Sequence, residues 1–220
     1  MKKIKYGIIG ASGKMGKEIE SVFSEAGNEC VFKFDIDGEQ KITTPELLID
    51  FSLPIVLSKT IEYVKLFNVP LIIGTTALSS IQLEELKKLG EDVPVVQSYN
   101  FSIGIQLLLR MIEVIKNEVA GWDIEIEETH HRFKKDKPSG TAIMIKNTIE
   151  KDAPISSLRL GNVPGIHTVQ FGSLGEILKI EHQALSRRTF ADGVLISAKF
   201  IIKKKNGLYS FRDVINNKID

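Results

Sequence analysis

The sequence predicts an α/β chain: a doubly wound parallel sheet followed by a smaller α+β domain. Three observations carry this. In the first half, short apolar runs alternate with helical patterns, as expected for parallel strands joined by crossover helices. The first run leads directly into Gly10-Ala11-Ser12-Gly13-Lys14-Met15-Gly16, after which a helix pattern begins. Beyond Phe101 the order changes to one long helix and then a series of strands, which marks an α+β domain.

In chain order, strands are expected at 4–9, 30–35, 47–51, 70–74 and 93–97, with helices at 14–26, 54–67 and 79–88 between them. Right-handed crossovers wind such a set into an open sheet whose ligand crevice lies at the carboxyl ends of the strands. A long helix is expected at 103–119. In the stretch that follows, Trp122, Ile124 and Ile126 alternate with acidic residues, the pattern of a strand buried on one face. A helix at 141–151, strands at 157–160, 167–171 and 176–182, a helix from Arg187 to about Lys203 and a short helix at 208–215 complete the chain. The expected domains are 1–101, completed by 187–220, and 102–186.

The 220 residues carry 29 basic and 28 acidic side chains, a formal net charge of +1. No bulk field draws such a chain to nucleic acid or an anionic membrane, so any recognition of anions is local. Cys30 is the only cysteine, which excludes an intrachain disulfide and a multi-cysteine metal site. The N-terminal apolar run is too short for a signal-peptide core, and no run approaches the roughly 18–20 residues of a membrane span. A cytoplasmic protein is expected.

In the glycine loop, Gly10 can make the tight turn and Gly13 can admit a pyrophosphate, while the helix start supplies N–H groups at a positive dipole end. The spacing is G-x-x-G-x-x-G rather than the commoner G-x-G-x-x-G, and a purely steric glycine turn is the alternative. Asp35, with Asp37 close behind, is the candidate for the adenosine ribose. A carboxylate there repels a 2′-phosphate and tilts the expectation towards NADH over NADPH, although Lys14 and Lys33 are near enough in sequence to offset the charge. Three further strand ends are small and polar: Asp50-Phe51-Ser52, Gly74-Thr75-Thr76 and Ser98-Tyr99-Asn100-Phe101-Ser102. They line the same crevice, and threonine hydroxyls with glycine N–H groups suit the nicotinamide half.

The densest chemistry lies at 128–142, ETHHRFKKDKPSGTA, which holds two of the four histidines. Adjacent imidazoles, a lysine beyond them and a Pro-Ser-Gly-Thr turn point to a small anionic substrate that needs proton transfer. The plain alternative is an exposed basic loop before a capped helix. On an extended segment His130 and His131 face opposite sides, so one can serve catalysis while the other binds or braces. Histidine suits proton exchange at neutral pH. Lysine exchanges fast there only when desolvation or cationic neighbours lower its pKa, and otherwise acts as a fixed charge on a developing anion. Ser139 is a plausible N-cap, and Gly140 and Thr141 would present N–H groups and a hydroxyl to a carboxylate. His167 and His182 fall in strand patterns and read as structural. No spacing suggests a metal site.

The motifs GASGKMG, IDFS, GTT, YNFS, ETHHRFKKDKPSGTA and SRRTFADG stand in the order found in the 4-hydroxy-tetrahydrodipicolinate (dihydrodipicolinate) reductase family, which the chain resembles over nearly its whole length. The resemblance implies a Rossmann-like cofactor domain, a mixed-sheet domain for substrate and oligomerisation, and a C-terminal segment returning to the first. It implies a homotetramer built through the second domain's sheet, in lysine and diaminopimelate biosynthesis. The substrate it implies is a cyclic dicarboxylate that takes hydride from NADH or NADPH at one ring carbon and a proton at its neighbour, with loss of water. His130 and Lys134 take the family's proton-transfer positions and His131 its carboxylate contact. Arg187 takes its arginine position, for cofactor phosphate or substrate. Lys137 departs from the small residue usual there. Two other readings are a non-catalytic redox sensor that binds the dinucleotide, and an amino-acid dehydrogenase that shares the cofactor domain.

Overall fold

The computed structural model describes residues 3–217. The chain divides into two compact units, one of residues up to Phe101 together with those from Phe190 on, the other Ser102–Thr189. The second division falls at Thr189 rather than 186, and residues 218–220 of the expected C-terminal segment lie outside the described residues. Among the described residues no helix is long and apolar enough to cross a membrane.

Unit 1 is built on β1 (Lys5–Ile9), α1 (Lys14–Glu25), β2 (Glu29–Asp35), β3 (Gly38–Lys41), β4 (Leu47–Asp50), α2 (Leu57–Phe67), β5 (Leu71–Ile73), α3 (Ser80–Asp92) and β6 (Pro94–Gln97). It is completed by most of α6 (Arg188–Ile201), by β11 (Gly207–Ser210) and by α7 (Phe211–Asn216). The sheet order is β11-β6-β5-β4-β1-β2-β3, parallel throughout except for β3, which is antiparallel to β2. Strand order reverses between β1 and β4, and in such sheets the crevice at this switch point takes the ligand.

Both faces of this sheet are covered, so its central strands are apolar on both sides. One face carries Tyr6, Ile8, Leu47 and Ile49 against Ile19, Val22 and Phe23 of α1 and Val194, Ala198, Phe211 and Val214 of the returning helices. The other carries Ile9, Leu48, Leu71 and Val95 against Tyr63 and Val64 of α2 and Leu86 and Leu89 of α3. Ile19, Val22 and Phe23 recur at helical spacing, which gives α1 its single buried stripe. α3 starts in a capping box between Ser79 and Gln82. α2 ends at Asn68 in the left-handed conformation, φ 52°.

Two strands depart from expectation. β3 reads Gly-Glu-Gln-Lys, is exposed along its length and joins β2 through the turn Ile36-Asp37. A polar edge strand has no apolar alternation to reveal it. The expected helix at 208–215 is divided: β11 pairs with β6, and α7 starts only after Ser210, whose hydroxyl and Asp213 form a capping box. The expected long helix also ends early, as α4 (Ile103–Ile115) followed by turns to Gly121.

Unit 2 holds α4, β7 (Asp123–His130), α5 (Gly140–Ile149), β8 (Ile155–Arg159), β9 (Ile166–Gly172) and β10 (Ile177–Gln183). Its mixed sheet runs β10-β9-β7-β8, with β7 parallel to β8 and antiparallel to β9. Ile126, Val169 and Phe171 on one face pack against Ile105, Leu108 and Ile112 of α4 and Ala142, Ile145 and Ile149 of α5. Further along the same strands this face turns polar. His182 pairs with His167, His167 with Glu128, and Glu128 with Ser157, which makes one row across all four strands; His130 and Arg159 pair in the next.

Candidate active site

In unit 1 the candidate residues gather around the glycine loop. Gly10 adopts φ +82°, and a Cβ there would lie 2.9 Å from the Phe51 carbonyl oxygen. At Gly16 a Cβ would meet the carbonyl oxygens of Gly10 at 2.3 Å and Ala11 at 2.6 Å, so the start of α1 packs directly on the loop. Gly13 is the N-cap of α1 and supplies no side-chain cap. A tight glycine loop packed directly on the start of a helix that has no side-chain cap fits a pyrophosphate. Ala11 is buried, Met15 packs on the core beneath, and Lys14 opens the helix.

Asp35, at the end of β2, reaches the same loop: its Oδ2 accepts the Ser12 N–H at 2.6 Å and its Oδ1 the Ile36 N–H at 2.9 Å. These bonds, that from Ser12 first, hold its carboxyl below the usual range. Asp37 lies exposed in the β2–β3 turn. The ammonium of Lys33 is taken by Glu20 at 2.6 Å, so it does not offset Asp35 as its place in the sequence suggested.

The other strand ends divide by role. Asp50 is fully buried and accepts from the Ser52 N–H and the hydroxyls of Ser52, Thr60 and Thr75. Burial still pushes its carboxyl up, against those four bonds. The Thr75 hydroxyl expected at the nicotinamide is therefore committed to Asp50. Gly74 is packed on the Phe51 ring, where a Cβ would lie at 2.3 Å, and Thr76 is half-buried beside it. The Ser98 hydroxyl donates to the Asn100 carbonyl at 2.8 Å and accepts the Asn100 N–H at 3.2 Å, which makes a closed turn. Tyr99 is half-buried, and burial raises its phenol. The Phe101 ring is a core group between Phe51 and Phe211, with centroids at 5.6 and 5.2 Å, which leaves its backbone as the part that could meet a cofactor.

In unit 2 the polar end of the sheet face holds the candidate chemistry. His130 is buried, and its Nδ1 is hydrogen-bonded to Oε2 of the fully buried Glu128. The Arg159 guanidinium donates to both Glu128 oxygens, NH1 to Oε2 at 3.0 Å and NH2 to Oε1 at 2.9 Å. Burial alone would raise the Glu128 carboxyl, but hydrogen bonds from His130, Arg159 and Ser157 outweigh it and hold the group at about 2. Removing either member of this buried pair would leave the other uncompensated, at a cost of about 3–5 kcal/mol. The His167 ring meets that of His130 edge to face, with centroids 5.0 Å apart. Burial first, then the charge of His130, pushes His167 down to about 3, which keeps it neutral.

Lys134 follows on the loop after β7, with its Nζ 2.7 Å from Asp136 Oδ1. His131 is half-buried at the start of that loop. Lys137 is exposed and turns to solvent, and the Lys137–Pro138 peptide bond is cis. Ser139 caps α5 by accepting the Ala142 N–H at 3.2 Å and lies 3.3 Å from His167 Nε2. Its hydroxyl is thus used within the protein, and Gly140 and Thr141 form the first turn of α5 beyond it. His182, lowered by burial, lies 3.1 Å from the hydroxyl of Ser102, the N-cap of α4. Arg187 is half-buried in the turn before α6, which starts one residue later than expected. Glu128 and Arg159 are the functional candidates that residue patterns did not single out. Glu128 stands two residues before His130 and so on its face, whereas Arg159 carries no local signal because β7–β8 pairing alone brings it there.

Residues 4–101 match the family model described as dihydrodipicolinate reductase, N-terminus, and residues 104–215 the one described as dihydrodipicolinate reductase, C-terminus. The 4-hydroxy-tetrahydrodipicolinate reductase of Thermosipho africanus is 48% identical over 212 residues, covering 96% of this chain and 98% of its own. That of Rickettsia rickettsii is 37% identical over 234 residues, covering 94% and 97%. Among solved structures, dipicolinate-bound dihydrodipicolinate reductase from Paenisporosarcina sp. TG-14 shares the fold with TM-score 0.71 at 24% identity, covering 96% of this chain and 99% of its own. Aspartate dehydrogenase from Thermotoga maritima shares the fold more distantly, with TM-score 0.53 at 14% identity, covering 93% and 98%.

Proposed function

The chain belongs to the dihydrodipicolinate reductase family, and from that premise we propose that it converts 4-hydroxy-tetrahydrodipicolinate, NAD(P)H and a proton into tetrahydrodipicolinate, water and NAD(P)+. It is an oxidoreductase of lysine and diaminopimelate biosynthesis. The observation that carries the reading is the polar end of the unit 2 sheet, where Glu128 grips His130 beside His167, followed on the next loop by Lys134 and the start of α5.

The bound dinucleotide supplies hydride. The residues that would hold it are the loop 10–16, Asp35, the strand ends 74–76 and 98–101 through their backbone, and Arg187, which could instead serve the substrate. An ionised Asp35 at the ribose, with Lys33 committed elsewhere, supports NADH over NADPH. The proton is the task of His130 and Lys134. With Nδ1 bonded to Glu128, His130 keeps Nε2 for exchange, and Lys134 adds positive charge or a proton at the carbon that becomes anionic. His131, Gly140 and Thr141 bind the substrate carboxylates, and Ser139 positions that helix start. This division lets a chain of net charge +1 select a dianion. We read the enzyme as a cytoplasmic homotetramer formed through the unit 2 sheet, in line with the family resemblance.

The test is turnover of the hydroxy-dicarboxylate, generated in situ, followed by loss of NADH absorbance and repeated with NADPH. Consumption with either cofactor, inhibited by pyridine-2,6-dicarboxylate, is expected. Absence of consumption with both would sink the reading, and oxidation of an amino acid instead would favour a dehydrogenase.

A further inference from the structure

Arg159 has its five guanidinium N–H groups matched by five acceptor contacts. Nε–H donates to the Lys134 carbonyl at 3.3 Å, NH1 to Glu128 Oε2 and the Leu158 carbonyl at 3.0 and 2.7 Å, and NH2 to Glu128 Oε1 and the Asp136 carbonyl at 2.9 and 2.5 Å. A planar fork with every donor satisfied fixes geometry in a way that a lysine, with three rotatable donors on a flexible stem, does not reproduce. The contacts join two elements. Glu128 lies on β7 and bonds His130, while the carbonyls of Lys134 and Asp136 belong to the loop whose lysine and aspartate pair at 2.7 Å.

We propose that Arg159 and Glu128 are positioning residues for proton delivery: one guanidinium holds both the carboxylate that orients His130 and the loop that carries Lys134. The inference rests on the reading of His130 and Lys134 as the proton-handling pair. The carboxylate fixes the imidazole by its Nδ1, while the carbonyl contacts set where the Lys134 backbone stands. The charged and titratable groups around His130 are Glu128 on its own strand, Arg159 paired with it on β8 and His167 on β9, and Lys134 acts in turn on His167. Loss of the Glu128 charge alone therefore changes the pH dependence of the step in which His130 gives up its proton.

The experiment compares Glu128→Gln, Arg159→Lys and His130→Gln with the unmodified enzyme by kcat, KM and kcat/KM against pH, and follows the His130 Nδ1–H resonance in ¹⁵N-histidine-labelled protein. Glu128→Gln keeps an oxygen for Nδ1–H but removes the charge. The expected result is a fall in kcat of roughly 10-fold or more with KM within about threefold, a changed pH profile and a shifted resonance. Arg159→Lys keeps a cation opposite Glu128 and is expected to lower kcat similarly without changing KM for NADH. Two folded variants with unaltered kcat and pH profile would overturn the inference; if Glu128→Gln does not fold, an unaltered Arg159→Lys does so alone. Full turnover in His130→Gln would instead overturn the reading of His130 on which the Glu128 arm rests, whatever the resonance shows in Glu128→Gln.

Discussion

Lys134 rests on Asp136 at 2.7 Å, close enough for the pair to hold the ammonium in place on the loop that carries it. Lys134→Ala should cut turnover roughly 10²-fold or more while leaving NADH affinity unchanged, measured by steady-state kinetics and cofactor titration. Unchanged turnover would remove the residue from the chemistry. His167 makes a prediction about stability. Its folded pKa is about 3 against an ordinary 6.5, so between those values the unfolded chain takes up a proton that the folded chain refuses, and stability falls as pH drops from 6.5 towards 3. Glu128 adds a second loss at lower pH: its contribution is full above 4.5 and disappears as pH falls through about 2. His167→Asn should remove the first slope, about 1.4 kcal/mol per pH unit, in urea midpoints compared at about pH 6 and about pH 4.5. A variant with the original slope would show that another group sets it.

At the scale of elements, the close approach of α6 to the end of β6 depends on Gly193, where a Cβ would lie 1.8 Å from the Phe101 carbonyl oxygen. Backbone cannot yield there as a side-chain tip can. Gly193→Ala is expected to cost about 3 kcal/mol or more by chemical unfolding, and an unaffected midpoint would mean that α6 can shift. Elements with their own apolar period, such as α1 with Ile19, Val22 and Phe23, were legible from residues alone. β3 was not, because a polar edge strand lacks that period, and β11 was hidden because Leu-Tyr-Ser-Phe fits either period until the capping box at Ser210 is seen. At the site, local spacing drew attention to His130 and Lys134 as candidates and gave the Ser139 cap of α5. It was silent on what arises from register: Arg159 opposite His130, and the row joining Glu128 to His167. Nor does spacing reveal which polar groups are consumed inside the protein, as the Thr75 hydroxyl is by Asp50 and the Ser139 hydroxyl by the start of α5.

For the whole molecule, the glycine cradle and Asp35 both belong to unit 1, so dinucleotide binding should be read out as stability of that unit. At a hundredfold excess over Kd, NADH is expected to stabilise it by about 2.7 kcal/mol, seen as a raised melting temperature, with a smaller shift for NADPH at equal concentration. Equal shifts would overturn the preference attributed to Asp35. The arrangement of the chain has a different consequence, for the order of its making. Unit 2 is contiguous, but the sheet face of unit 1 that bears Tyr6, Ile8, Leu47 and Ile49 is shared between α1 and the late helices α6 and α7. During synthesis from the N-terminus, the strands of the first unit leave the ribosome before the late residues that help to cover that face exist. The unit begun first is thus finished last, and while the intervening unit is made it carries an open apolar face and the bare edge of β6 that β11 will occupy.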